Sequence, residues 1–247
     1  GGAVREDDPY AVRVCDLEQR LANIERILQN QSLVQLMGRI EELQNEVRLL
    51  RGEADGPGPE GELLLETLNE NSVYGFRFAR RLLTQQTKYQ YLELLESPDM
   101  GKTLRLDGCL MTAETEEFFY HEGLVHPAAI ALDAPRSALI VGGGDGGALE
   151  ELLKHPVENV TLVDLDEDVI KVSREHLQSI NKGAFDDPRV TVRIGDGAQF
   201  VAQTDQRFDL VLLDLTDPET PAGPLYTEAF FQQCKGVLNP GGAIVLH

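Results

Sequence analysis

Basic residues are scarce in this chain, cysteines are few, and no long apolar run occurs. Lys and Arg number 22 against 42 Asp and Glu among 247 residues, a formal net charge of −20. Phosphate binding draws most of its affinity from clustered Lys and Arg, so nucleic acid is not expected as a partner. A cationic small molecule fits the acidic surplus better, although acidity for solubility alone would look the same. The three cysteines, Cys15, Cys109 and Cys234, include no C-x-x-C pair. Neither a disulfide framework nor a zinc site is indicated, and a reducing compartment is the default. No apolar stretch approaches the ~20 residues needed to span a bilayer, and Gly1 to Asp8 is acidic where a signal peptide would be basic. The chain reads as soluble, with no membrane partner and no metal.

What is present begins with a heptad seam. Between Asp16 and Arg51, apolar residues fall at Leu17, Leu21, Ile24 and Leu28, then at Leu33, Leu36, Ile40, Leu43, Val47 and Leu50. Within each group the spacings alternate four and three, with a register slip across the polar run Gln29 to Ser32. This predicts a self-associating coiled-coil helix over residues 1–52, or one long amphipathic helix lying on its own domain. Gly52 ends it, and the Gly/Pro-rich acidic stretch Glu53 to Gly61 reads as a linker.

Beyond the linker the pattern changes twice. Residues 62–113 carry short β-like runs at Val73 to Leu83, Tyr89 to Leu95, Lys102 to Leu106 and Cys109 to Thr112, with Asp107-Gly108 as a hairpin turn. They predict a small antiparallel unit. Residues 114–247 open with a helical stretch, Glu114 to Leu132, and then alternate. Strands are expected at Ala138 to Val141, Val160 to Val163, Val190 to Ile194, Phe208 to Leu213 and Ala243 to Leu246. Helices are expected at Ala148 to Leu153, Asp166 to Ile180, Gln199 to Ala202 and Tyr226 to Leu238. Such alternation gives right-handed crossovers, hence an α/β domain with a Rossmann-like, mostly parallel sheet.

The chemistry sits at strand ends. Val141 to Gly147 (VGGGDGG) matches G-x-G-x-x-G at Gly142, Gly144 and Gly147, between a buried-strand pattern and a helix. Asp164 ends the next strand, 17 residues after Gly147, where a carboxylate accepts ribose hydroxyls. A nucleoside ligand is implied. Asp145, inside the loop, would repel a pyrophosphate or the carboxylate of S-adenosylmethionine and attract the ammonium of an aminopropyl chain. Asp196 and Gly197 follow the third strand, where Asp196 would accept from the adenine amino group or cap a helix. Asp214 is delivered to the carboxyl edge by the fourth strand and is the candidate base, or a cap at the strand end. Asp217, before Pro218, either holds a polycation or shapes a turn.

Two near-motifs fail on geometry. His121 and His126 are five residues apart, about 140° around a helix, so they do not chelate one ion together as a zinc-protease helix would. Asp164, Asp166, Asp168 and Glu175 mimic a calcium loop, but Val169 stands where Gly is required.

With these pieces assembled, roughly three quarters of the chain, from about Glu62, resembles the polyamine aminopropyltransferases, typified by spermidine synthase. The matching stretches are Lys88-Tyr89-Gln90, Leu106-Asp107-Gly108, Glu117 through Tyr120-His121-Glu122, the Gly142 to Gly147 loop, Asp164 to Asp168, Gly195-Asp196-Gly197 and Asp214 to Pro218. The resemblance implies that Gln90, Asp145, Asp164 and Asp196 contact decarboxylated S-adenosylmethionine as co-substrate, no other cofactor being needed. It implies that Tyr120 lines the amine channel with His121 beside it, and that Asp214 activates the acceptor amine, with putrescine the expected acceptor. Asp214-Leu215-Thr216-Asp217-Pro218 departs from the family's usual Asp-Ser-Ser-Asp-Pro, and the family normally continues past the strand ending at Leu246, so the sheet is expected to be incomplete. Asp16 to Gly52 resembles the trimerising coiled coil of the Tol-associated periplasmic cell-division coordinator. The two resemblances imply different compartments; the catalytic part points to the cytoplasm, with the helix as a homo-oligomerisation device. A methyltransferase on the same sheet, and a non-catalytic assembly module, are the competing expectations.

Overall fold

Two runs of continuous apolar sequence, Ala138 to Val141 and Leu210 to Leu213, form the centre of the parallel domain. The computed structural model describes residues 61–69, 72–218, 220 and 222–246. The coiled-coil helix expected over residues 1–52, Cys15 within it, and linker residues 53–60 lie outside the described residues.

Strands β7 (Ser137–Gly142), β8 (Asn159–Asp164), β9 (Val190–Ile194), β10 (Phe208–Asp214) and β11 (Leu238–Leu246) form a five-stranded sheet in the order β11-β10-β7-β8-β9. Every neighbouring pair is parallel. Ala138 to Val141 and Leu210 to Leu213 are buried on both faces, as parallel strands covered by helices must be. Side chains alternate between two cores. Ala138, Ile140, Leu210 and Leu212 pack with Leu124, Val125, Leu149 and Leu152 on one face. Leu139, Val141, Val211 and Leu213 pack with Val201, Phe230 and Cys234 on the other.

The first face is covered by α1 (Glu117–Ala131) and α2 (Gly147–Leu153), the second by α5 (Gly197–Gln203) and α6 (Glu228–Gly236). Helices α3 (Glu167–His176) and α4 (Gln178–Asn181) follow β8. Antiparallel strands β3 (Arg80–Gln86), β4 (Tyr91–Ser97), β5 (Gly101–Leu106) and β6 (Cys109–Ala113) make a separate sheet in chain order. Its Leu92, Leu94, Leu104 and Leu106 bury against Val169 and Val172 of α3, Ile180 of α4 and Leu177 between them, which docks the small unit onto the parallel domain. The α/β class with its small antiparallel unit is as expected. Among the described residues no helix is long and apolar enough to cross a membrane.

Several expected boundaries move. The single run expected over Val73 to Leu83 is two strands: β2 (Ser72–Phe78) pairs with an unforeseen β1 (Glu62–Asn69), while β3 pairs with β4. The break falls at Ala79, whose N–H donates to Glu96 O at 2.7 Å and turns the chain from one sheet into the other. Helix α1 starts at Glu117 instead of Glu114, because Glu114 and Thr115 still donate backbone bonds to Lys102 O and Met100 O. The helix expected over Asp166 to Ile180 is two, α3 and α4. Leu177 breaks the ladder at φ −110°, and the Asn181 amide donates to Ser173 O and Leu177 O at 2.8 Å each, satisfying the carbonyls left over. Helix α6 is shorter than expected at both ends: Thr227 caps it, and Leu238 already pairs with Phe208.

Candidate active site

The glycine loop is shaped by contact with the end of β10. Gly142 has φ +83°, and a Cβ there would lie 2.0 Å from Asp214 O, so only glycine fits. Gly143 N–H donates to the same carbonyl at 3.0 Å. The loop and Asp214 therefore form one rigid corner at the carboxyl edge of the sheet, where ligands of open α/β sheets bind.

A cavity of about 390 Å³ opens there. Of the predicted site residues, Gln90, Tyr120, Gly142, Gly144, Asp145, Asp164, Asp196, Gly197, Asp214 and Asp217 line it. Leu104, Leu106, Leu110 and Met111 of the small unit supply an apolar wall that sequence patterning did not assign to the site. His121 and Gly147 stand just behind the lining. His121 is 2% exposed, and a Cβ on Gly147 would sit 2.2 Å from its ring. The need for glycine at 147 is thus close packing against imidazole.

The polar groups are held individually. Tyr120 OH donates to Asp214 Oδ1 at 2.9 Å. Burial first, and then the Asp214 charge, push the Tyr120 pKa above its ordinary value, so this hydroxyl stays a donor. Asp145 Oδ1 accepts from Gly147 N–H at 2.9 Å, and its Oδ2 lies 3.3 Å from His121 Nε2. Burial opposes the charge on Asp145, but His121 and the Gly147 N–H hold its carboxyl below the usual range. Asp164 Oδ1 accepts from Asp166 N–H at 2.8 Å; burial, aided by the charges on Asp166, Asp214 and Asp145, pushes its pKa up to about 6. One atom each of His121, Asp145 and Asp214 lies within 4.8 Å of the others.

Two residues keep the local roles weighed for them. Asp196 Oδ1 accepts from Ala198 and Gln199 N–H as the cap of α5, while the residue also faces the cavity. Asp217 O accepts from Thr220 N–H at 3.0 Å in a turn at the cavity rim. The rejected pairs separate as geometry requires. His121 turns to Glu117 and Asp145, whereas His126 turns to His155 and Glu151. Asp166 caps α3.

Sequence reading missed the support of Gln90. Its amide donates to Asp166 Oδ2 at 3.0 Å, and Thr87 Oγ1 donates to the same oxygen at 2.6 Å. Asp166 is 3% exposed, so a buried carboxylate of the parallel domain pins the small unit and fixes the Gln90 side chain, a residue of the cavity wall. The spacing of Thr87, Gln90 and Asp166 carries no signal of this, because the contact joins residues 76 and 79 apart.

With this geometry in hand, comparison with known proteins is decisive. The spermine/spermidine synthase domain matches residues 117–247, and the spermidine synthase tetramerisation domain matches residues 74–114. The chain belongs to the spermine/spermidine synthase family. A polyamine aminopropyltransferase of Nitrosomonas europaea is 43% identical over 187 residues, 75% of this chain and 58% of the relative. That of Thermococcus onnurineus is 46% identical over 172 residues, covering 69% of this chain and 61% of the relative. A crystal structure of spermidine synthase with the transition-state analogue AdoDATO superposes with a TM-score of 0.72 at 35% identity, covering 78% of this chain and 67% of that one. The Thermotoga maritima spermidine synthase gives 0.68 at 36% identity, covering 76% and 65%. This family member spans about six tenths of the length of the curated relatives it matches. Residues 16–58 match the TolA binding protein trimerisation region, in line with the resemblance of the N-terminal heptads.

Proposed function

We propose that this chain transfers the aminopropyl group of decarboxylated S-adenosylmethionine to a polyamine amine, with putrescine as acceptor and spermidine and methylthioadenosine as products. The observation that carries the reading is the corner where Tyr120 OH meets Asp214 at 2.9 Å, beside Asp145 and against the glycine loop. The acceptor amine has a pKa near ~10, so exposing its lone pair at neutral pH costs roughly 4 kcal/mol. Asp214 takes that proton, and Tyr120 fixes the carboxylate that does so. The freed lone pair attacks the donor methylene next to sulfur, the C–S bond breaks, and its electrons neutralise the sulfonium to a thioether. A neutral leaving group needs no general acid.

The donor's ribose hydroxyls pair with Asp164, its adenine amino group faces Asp196, Gln90 offers its amide oxygen, and Asp145 meets the aminopropyl ammonium. Asp217 at the rim holds the far ammonium of the acceptor. The match of residues 74–114 to a tetramerisation domain supports a homo-oligomer, and the cytoplasm is the compartment that suits the proposed substrates. Incubation with the decarboxylated donor and putrescine, followed by assay of methylthioadenosine, tests the reading; no product with any diamine or triamine would overturn it. Calorimetry separates it from methyl transfer, since tighter binding of the carboxylated donor would contradict the role given to Asp145.

A further inference from the structure

The imidazole of His121 lies between two carboxylates on a path that the transfer chemistry leaves unused. Its Nδ1 is 2.7 Å from Glu117 Oε2, and its Nε2 is 3.3 Å from Asp145 Oδ2. The His121 side chain is 3% exposed, that of Glu117 10% and that of Asp145 13%, so water does little to settle either contact. A neutral imidazole has one N–H and one lone pair. Whichever tautomer it adopted, a lone pair would face a carboxylate oxygen in a dry site. Only the doubly protonated ring donates to both.

The remaining neighbours agree. Asp214 reaches the ring from the end of β10, within the 4.8 Å cluster, and Tyr120 meets it edge-on with centroids 5.2 Å apart. The Gly147 backbone closes the remaining side, which holds the ring in its plane. Burial pulls the imidazole toward its neutral form, but Asp145, Asp214 and Glu117 outweigh it and push its pKa up to about 10.

We propose that Glu117, one helical turn before His121 on α1, is a positioning residue for aminopropyl transfer: it holds His121 as a doubly donating cation, whose second N–H fixes the Asp145 carboxylate toward the donor's ammonium. This rests on the function proposed above. The cation also lets Asp145 and Asp214 remain ionised side by side. Without a positive charge between them, like charges at this range would drive one to take a proton, and either loss disables a binding or a proton-accepting group.

The test begins with ring-nitrogen NMR of His121 in the full unliganded chain, assigned by difference against His121→Gln. Both ring nitrogens are expected to be protonated from about pH 6 to 9, well past the ordinary histidine midpoint near ~6.5. A neutral tautomer at pH 7 overturns the proposal whether or not any variant folds. In Glu117→Gln the neutral tautomer is expected by about pH 8. The donor KM should rise about tenfold, the size of one lost charge-assisted contact, with kcat changed much less. The basic limb of kcat/KM should move to lower pH, and Glu117→Asp should restore part of both effects. A folded Glu117→Gln protein that keeps the doubly protonated ring and the parental pH profile also overturns it. Absence of methylthioadenosine would remove the proposed reaction while leaving the wild-type nitrogen spectrum as it is, so the two failures are distinguishable.

Discussion

Strand β10 carries an aspartate near each end, and the protein treats the two in opposite ways. Near the amino end, Asp209 Oδ2 accepts from Arg136 N–H at 2.8 Å, Ser137 N–H at 2.9 Å and Ser137 Oγ at 3.2 Å, while Oδ1 accepts from the Asn239 amide at 2.8 Å. Burial works against the charge, but these donors together hold the carboxyl below its usual range. At the carboxyl end, Asp214 receives Tyr120 OH and sits among other acids, Asp145 and Asp164 included. One carboxylate splices β7, β10 and β11 together. The other adds negative charge where negative charge has already gathered, which the rigid corner of the sheet tolerates with the His121 imidazole close by.

The comparison is tested hardest by neutralising each aspartate in turn. Asp214→Asn removes the proposed proton acceptor while keeping the shape and the acceptor for the Tyr120 hydroxyl. Turnover to methylthioadenosine should fall by about 10²–10⁴, the range of a lost general base, with the thermal midpoint unchanged or slightly raised. Parental turnover would refute the base assignment. Asp209→Ala should do the reverse. It strands two backbone N–H groups and an amide, so stability should drop by about 2–3 kcal/mol, read as a denaturant midpoint shift. Donor affinity at a temperature where the variant is folded should stay near parental.

This contrast marks how far sequence reading reaches. The parallel strands were legible because Ala138 to Val141 and Leu210 to Leu213 are short apolar runs bounded by glycine or aspartate, and the glycine loop because its spacing follows from backbone contact. The acids at strand ends were legible as a set, since chain order delivers them all to one edge. What escaped depends on tertiary contact. β1 lies just past the linker, and its Leu63-Leu64-Leu65 run shows no alternation to announce a strand, though Leu64 alone of the three is buried. The clamp of Thr87 and Gln90 on Asp166 joins two sheets. Glu117 is one turn from His121, so their pairing was open to an i,i+4 reading, yet the role of the ring depends on Asp145, which only the fold brings near.

Asp164 tests the same comparison more gently, because its charge is a burden on the folded state. Its native pKa of about 6 lies above the ordinary aspartate value of 3.8. Above pH 6 the ionised carboxylate therefore costs stability, and the cost disappears as pH falls from 6 toward 4, because the native state takes the proton first. Asp164→Asn should raise stability by about 2 kcal/mol at pH 8, converging on the parent near pH 4, while weakening the donor at every pH. Thermal melts across that range measure it. A variant less stable than the parent at pH 8 would mean that the carboxylate is held by contacts stronger than the Asp166 N–H.

Tyr120→Phe asks the smallest change of the corner: one hydroxyl removed, the ring kept. The hydrogen bond to Asp214 Oδ1 stabilises the ionised carboxylate and fixes its orientation. Losing it makes Asp214 a slightly stronger but less well-aimed base, so the acidic limb of kcat/KM should move to higher pH while kcat falls about tenfold. Donor affinity should barely change, because the hydroxyl is spent on the aspartate. If instead donor binding collapses and the pH profile stays in place, Tyr120 acts on the nucleoside and not on the proton acceptor. The two ends of β10 would then differ only in how many donors each aspartate has, and not in what those donors are for.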